Sequence, residues 1–342
     1  MFFDIFYSIL LLMAGLGAFL FGLHMFSSFF KRNNKRIKGA FSRVGENRFV
    51  NLGLGTGTTV LIQSSTATTV TIVGLVNAGV MTLSQATPAI FGANLGSALS
   101  DMLLSLSAFR IRYIFMAFVL IGVLAKVLTK QNSWLCKISD LFISFGIIFI
   151  GLNIMRGAFS DSEHLTNAFT RLFEVVHFPL LLVLLGFILT AIIQSSSASV
   201  GLYIAMAQSG VFGINSVLYL VIGSSLGTTL TMLIASIPAN RDAKRTALVH
   251  LLFNLIGTAI WVPIIWGLGH ILVPWFTDLI TNIVWQISIF SAILNTTTVI
   301  LLIGFSRKIA QLVTWIIKDK PQETPDSSNP LTPSSNPSHL PQ

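Results

Sequence analysis

Gln63-Ser64-Ser65-Thr66-Ala67-Thr68 and Gln194-Ser195-Ser196-Ser197-Ala198-Ser199 are nearly the same six residues, placed 131 positions apart. Each sits in the middle of an apolar stretch. The same offset relates Gly79 to Gly210, Gly92 to Gly223, Leu95 to Leu226, Gly96 to Gly227 and Arg110 to Arg241. Upstream, Gly17, Gly22 and Leu23 match Gly146, Gly151 and Leu152 at an offset of 129. One register held over so many positions marks an internal repeat. The repeats span 5–130 and 138–272, and one further apolar segment, 282–305, comes after them.

Composition says where such a repeat resides. Of the 342 residues, 53% are hydrophobic and only 10% are charged, against about 25% charged in a soluble domain. An ordinary cytosolic enzyme, a disordered protein and a nucleic-acid binder are excluded. The basic residues punctuate apolar segments instead of forming one stripe, which is the pattern of membrane orientation. A single cysteine, Cys136, rules out an internal disulfide and a cysteine-based zinc site. The chain reads as an all-α polytopic membrane protein.

A membrane span takes about 20 mostly apolar residues. Seven segments qualify: 5–30, 80–107, 113–130, 138–159, 210–236, 246–275 and 282–305. The first has too long an apolar run for a signal peptide, and a basic cluster succeeds it in place of a cleavage site. It is expected to be retained. Residues 1–306 are then expected to form the membrane domain. The remainder, 307–342, is read as a cytoplasmic disordered tail, with six prolines and five serines after Lys320.

The two stretches holding the repeated motif, 50–76 and 178–208, are too polar at their centres for simple spans. Residues 56–71 alone carry ten hydroxyl or amide side chains, which are costly against lipid. A polar centre with short apolar arms predicts a re-entrant helical hairpin whose tip lies near midplane. Non-helical backbone is tolerated there only against protein or a water-filled cavity.

Charge sets the orientation. Lys31, Arg32, Lys35, Arg36, Lys38, Arg43 and Arg48 mark 31–48 as cytoplasmic. Letting each hairpin enter and leave on one side puts 17 of the 21 Lys and Arg residues inside. The matching loop 160–176, with Asp161, Glu163 and Glu174, falls outside. The two repeats are therefore expected to be inverted, with the N-terminus outside and the C-terminus cytoplasmic. Inverted repeats with broken helices are how many secondary carriers build a midplane site.

Small hydroxyl residues in membrane helices are commonly packing glue, but the same six-residue pattern in both repeats argues for more. Two hairpin tips would offer backbone N–H groups and hydroxyls to an anion. The adjoining carbonyl, amide and hydroxyl oxygens suit a hard cation such as Na+. A second pair, Gly92-Ala-Asn94-Leu-Gly96-Ser97 and Gly223-Ser-Ser225-Leu-Gly227-Thr228-Thr229, admits a bland reading as close helix packing. Its repetition with polar partners favours an unwound point in each spanning helix.

Residues 223–227 also fit Gly-x-Ser-x-Gly. A nucleophile elbow needs a strand-to-helix turn, which a helical membrane segment lacks. In the other repeat Asn94 replaces the serine and Val119 replaces His250, so a catalytic pair is not expected. His250 and Asn254, four apart on one helix, read as a structural hydrogen-bonding pair. The histidines show no metal-ligand spacing. Asp101, inside a span, is either functional or solvated near its outer end.

The paired Gln-Ser-Ser motifs, Gly92-Ala-Asn-Leu-Gly-Ser97 and Arg245-Thr-Ala-Leu-Val-His-Leu-Leu-Phe-Asn254 resemble the sodium/phosphate cotransporter family, meaning the type II Na+/Pi cotransporters and their bacterial relatives. The resemblance covers about residues 10–305. It implies sodium-coupled transport of inorganic phosphate by alternating access across the cell inner membrane, without enzymatic activity or a cofactor. Phosphate then meets Gln63, Ser64, Ser65, Thr66, Gln194, Ser195, Ser196 and Ser197. Sodium, the coupling ion, is expected at Thr68, Asn94, Ser97, Ser199, Ser225, Thr228 and Thr229. Three positions depart from the family pattern: Ser224-Ser225 in place of Ala-Asn, Ser97 in place of Thr, and Ser291 in place of a His. Many bacterial relatives add a soluble PhoU-like domain, and this chain is expected to be a form without it. The rival readings are a phosphate exporter, a carrier of another small oxyanion, and a transport-inactive membrane scaffold or regulator.

The orientation has a direct test. With Cys136 replaced, single cysteines are placed in 31–48 and 160–176. An impermeant thiol reagent added outside is expected to label the second and spare the first. Labelling of both from one side would sink the inverted arrangement.

Overall fold

The computed structural model describes residues 2–31, 39–41, 45–108, 112–130, 133–176 and 178–319. Among them every regular element is helical: α1 (Phe2–Lys31), α2 (Arg48–Ile62), α3 (Ser65–Asn77), α4 (Leu83–Leu104, with a 3-10 turn Ser105–Ala108), α5 (Arg112–Leu128) and α6 (Trp134–Ser160). Then come α7 (Glu163–Val175), α8 (Pro179–Ile193), α9 (Ser196–Gln208), α10 (Ile214–Ser236), α11 (Arg241–Leu279), α12 (Ile283–Ile303) and α13 (Ser306–Ile316). Among the described residues, six helices are long and apolar enough to cross a membrane, namely α1, α4 with its turn, α6, α10, α11 and α12. Each of the seven expected spans coincides with a helix, although α5 is shorter than a full span. The chain is a multi-pass membrane protein.

The two polar-centred stretches are helix–break–helix units, α2–α3 and α8–α9. Each break needs two residues. Gln63 and Gln194 end the first helix in the left-handed region, at φ 54° and 60°. Ser64 and Ser195 come next in extended backbone and cap the second helix, accepting from the N–H of Ala67 and Ala198. Left-handed backbone strains a side-chain-bearing residue, so two glutamines at equivalent places mark a shared requirement.

The packing of the two halves repeats as the sequence does. Helix α2 lies on α4 and α8 on α10. A methyl group built on Gly92 would sit 2.0 Å from the Leu52 carbonyl oxygen, and one on Gly223 would sit 2.0 Å from that of Val183. Gly55 meets Ala89 as Gly186 meets Leu220. Gly96 meets Thr56 and Thr59 as Gly227 meets Phe187 and Thr190. The second arm of each unit also packs on the long helix of the other half, α3 on α10 and α9 on α4. Helix α12 touches α4, α9, α10 and α11.

These contacts correct one expectation. Helices α4 and α10 run unbroken through Gly92–Ser97 and Gly223–Thr229. The glycines there let neighbouring backbones touch, the small-residue packing usual between membrane helices. Two stretches read as loop or tail are also helical. Residues 163–175 form α7, capped by Ser162. Helix α13, residues 306–316, covers the start of the expected disordered tail (307 onward) and buries Ile309, Ala310 and Val313 on α4 and α11. Its end is tied down by the buried Arg245, whose Nε and guanidinium NH2 group donate to the Ile317 carbonyl at 2.9 and 2.6 Å. The rest of the expected tail, from residue 320, lies outside the described residues.

The glycine contacts are testable. Gly92→Ala forces two backbones apart, and overpacking costs about 1–3 kcal/mol. It is expected to lower the melting temperature by several degrees. Gly74→Ala meets nothing within 4 Å and is expected to be neutral or mildly stabilising. Thermal melting in detergent compares them, and equal melting of both variants would count against the close α2–α4 contact.

Candidate functional site

The two breaks meet. The Thr66 hydroxyl donates to the Gln194 carbonyl at 3.4 Å, which joins the first break to the second. Ser97, in the intact helix α4, stands between them. Its hydroxyl accepts from Ser65 at 3.4 Å and shares a hydrogen bond with Ser196 at 3.0 Å. Residues from three separate parts of the sequence thus form one polar cluster, half-buried at Ser97 and Ser196. The backbone N–H groups of Ser65, Thr66, Ser196 and Ser197 make no hydrogen bond among the described residues. They are the orphan donors that every helix start leaves, with the positive end of the helix dipole behind them.

The remaining motif residues hold the breaks. Gln63 turns its Nε2 back onto the Val60 carbonyl at 2.6 Å. Ser64 and Ser195 spend their oxygens as caps. Gln194 is exposed.

The expected sodium residues divide. Ser97 lies at the meeting of the breaks. Thr68 donates to the Ser64 carbonyl at 3.1 Å, and Ser199 to that of Ser195 at 3.2 Å while accepting from Thr190 at 2.8 Å. Asn94 is bonded elsewhere: its Nδ2 donates to the Ile90 carbonyl at 2.9 Å. Its Oδ1 lies 3.2 Å from His250 Nε2 and accepts from Asn254 at 3.3 Å. Ser225, Thr228 and Thr229 hydrogen-bond to carbonyls of their own helix, and none is bonded to either break.

Asp101 is outside the expected set yet adjoins the cluster through Ser197. It is 2% exposed. Ser197 donates to Oδ1 at 2.6 Å and Ser291 to Oδ2 at 2.8 Å. It makes no ion pair among the described residues. The alternative of solvation near a helix end is therefore excluded. Its charge is met by two short hydrogen bonds and by the start of α9, whose second residue is Ser197. An acid inside a span was the available signal. Its partners lie 96 and 190 positions away, and no local pattern announces them.

Hydrogen bonds to a charged group contribute about 1.5–3 kcal/mol, so Ser291→Ala is expected to destabilise by that much. In an Asp101→Asn background the loss is expected to shrink by at least about 0.5 kcal/mol, because contacting residues couple. Thermal melting of the two single variants and the double variant measures this. Strictly additive losses would mean that Ser291 does not act through the carboxylate.

Known proteins share this sequence pattern. The family described as Na+/Pi-cotransporter matches residues 18–157 and 163–293. YqeW of Bacillus subtilis (strain 168), an uncharacterized protein, is 28% identical over 269 residues, 77% of this chain and 82% of YqeW. YjbB of Escherichia coli (strain K12), whose name marks it as a candidate inorganic phosphate export protein, is 27% identical over 288 residues, 84% of this chain. The chain covers about half of that longer protein, 51%. The human sodium-dependent phosphate transport protein 2C is 39% identical over 85 residues, 24% of this chain and 14% of that protein. No solved structure matches significantly. Two matched segments that fill most of the chain, each containing one of the helix breaks, make this a member of the Na+/Pi-cotransporter family.

Proposed function

We propose that the chain carries inorganic phosphate together with Na+ across the cytoplasmic membrane by alternating access. The observation that carries this reading is the meeting of two capped helix starts, with four free backbone N–H groups and a serine between them. A tetrahedral oxyanion accepts such donors on several sides, and helix starts attract it electrostatically. Phosphate is bound by Gln63–Thr66 and Gln194–Ser197. Na+ uses oxygens among Thr68, Asn94, Ser97, Ser199, Ser225, Thr228 and Thr229, which are of the neutral, hard type that suits it.

Asp101 makes the two breaks electrically unequal. Through Ser197 it places a carboxylate at the start of α9. At the start of α3 the equivalent Thr66 donates to a neutral carbonyl, and Met232 occupies the place equivalent to Asp101. A bound phosphate is therefore held more strongly by the α3 donors than by the α9 donors.

In this reading the repeats 5–130 and 138–272 are inverted and the two units are re-entrant hairpins. Exchanging their conformations opens the site to one side and then the other. The named activities of the relatives support the substrate and the ion. The likeness to YjbB, which extends over most of the chain, favours outward phosphate movement as the second reading.

Labelled phosphate flux in proteoliposomes, with a Na+ and then a K+ gradient in either direction, tests transport, coupling and direction together. Isothermal titration tests the site. Ser65→Ala and Ser196→Ala are each expected to weaken phosphate binding by about ten- to a hundredfold, the value of one hydrogen bond to a charged ligand. Na+ is expected to tighten binding, and by linkage phosphate tightens Na+ binding in return. Unchanged phosphate affinity in both serine variants would overturn the site.

A further inference from the structure

Along α11, Trp261, Ile265, Leu272, Val273 and Phe276 share one face. In the turn between Ile265 and Val273 that face carries Gly269, and so has no side chain. A methyl group built there would meet Ile265 at 3.6 Å and Val273 at 3.9 Å, both ordinary contacts. Beside this gap, α10, α11 and α12 leave a cavity of about 180 Å³. Leu218 of α10 and Phe290 and Ile293 of α12 complete its wall.

That wall is apolar throughout. Its floor is buried, with Leu218, Ile265, Val273 and Phe290 no more than 7% exposed. Trp261 packs edge-on against Phe290 and commits its indole N–H to the Thr297 hydroxyl at 3.0 Å. A cavity of about 150 Å³ lined by Leu, Ile and Phe stays dry and takes benzene or xenon, so the occupant here is hydrocarbon and not water. Ile293 is the eleventh of the 21 residues of α12, so the cavity reaches the middle of a span. At its mouth Leu272 and Trp275 are exposed and run on into the exposed stripe of Leu268, Ile271 and Leu279. On a multi-pass membrane protein that stripe faces lipid.

We propose that the cavity holds one acyl chain of a bilayer phospholipid, inserted beside α11 from the lipid-facing side. Lipid tails are as apolar as this wall, so packing drives the insertion. An unfilled cavity forfeits the dispersion contacts of its lining. A peptide segment would bring in backbone groups that nothing here satisfies. The acyl chain also reaches toward the polar cluster. Phe290 directly precedes Ser291, whose hydroxyl holds Asp101, so the acyl chain packs on the turn of α12 that supports the carboxylate. The site does not depend on which solute is carried.

The test reconstitutes the full-length protein in dioleoyl phosphatidylcholine, whose headgroup has no net charge to attract basic side chains. The protein is then extracted in mild detergent and washed, and phospholipid per folded molecule is counted. Wild type is expected to keep one phospholipid through washes that strip the rest. Gly269→Leu puts a side chain into the cavity and Ile293→Phe fills it from α12. Each is expected to lower retention about tenfold, the cost of overpacking a filled site, and a folding defect in one leaves the other to decide. Leu268→Ala, on the exposed stripe outside the cavity, is expected to retain as wild type does. With the same lipid brominated in mid-chain, the retained molecule is expected to quench tryptophan emission in wild type, since Trp261 lines the cavity. Wild type that keeps no phospholipid, or keeps it without quenching, would overturn the site. Wild-type retention in the folded cavity-filling variants would overturn it equally, placing the lipid elsewhere on the surface.

Discussion

A helix that stops leaves backbone groups without partners of its own, and satisfying them organises both breaks of this chain. At each break the chain must end one helix and begin another within two residues. Gln63 and Gln194 reverse the backbone in the left-handed region, and Ser64 and Ser195 cap the helices that begin there. Local bonding then runs out. The Gln194 carbonyl is met by Thr66 of the other break, and the Ser65 and Ser196 hydroxyls both turn to Ser97. Neither break is complete alone. Their joining is what assembles residues from positions 65, 97 and 196 into one cluster.

Holding two strained breaks together demands a stiff frame, which explains why α4 and α10 are intact. Had they unwound at Gly92 and Gly223, as glycine permits, they would add more unsatisfied backbone at the same place. Instead the glycines bring α2 and α8 against them at backbone contact, twice over, with the same residue spacing. Close approach maximises dispersion contacts where lipid offers no hydrophobic force between helices. The close-packed frame carries the two polar breaks.

Much of this is legible in the sequence. The offset of 131, the seven helices and the two breaks at Gln-Ser-Ser derive from periodicity and from the cost of polar side chains in lipid. The glycine positions show the limit of that reading. A glycine permits either an unwound turn or a close contact, and the choice lies with the carbonyls of Leu52 and Val183 on neighbouring helices. Helix α7 is not announced, because its charges outweigh its apolar face of Leu165, Phe169 and Leu172. Asp101 can be flagged as an acid in a span but not paired, since Ser197 and Ser291 come from distant helices.

What the repeats share and where they differ separates scaffold from chemistry. The breaks, caps and glycine contacts are common to both halves. Among the differences, several change a polar group: Thr66 against Ser197, Asn94 against Ser225, Asp101 against Met232, Val119 against His250. A perfectly duplicated site would present the same charge twice and bind two like ligands equally. In the proposed coupling of an anion to a cation, the two halves are electrically distinct while their packing is alike. One carboxylate beside one of two matched helix starts makes that difference, held by hydrogen bonds from two hydroxyls that face it. Asymmetry of charge on symmetry of packing is therefore the physical basis on which the proposed coupling of Na+ to phosphate stands.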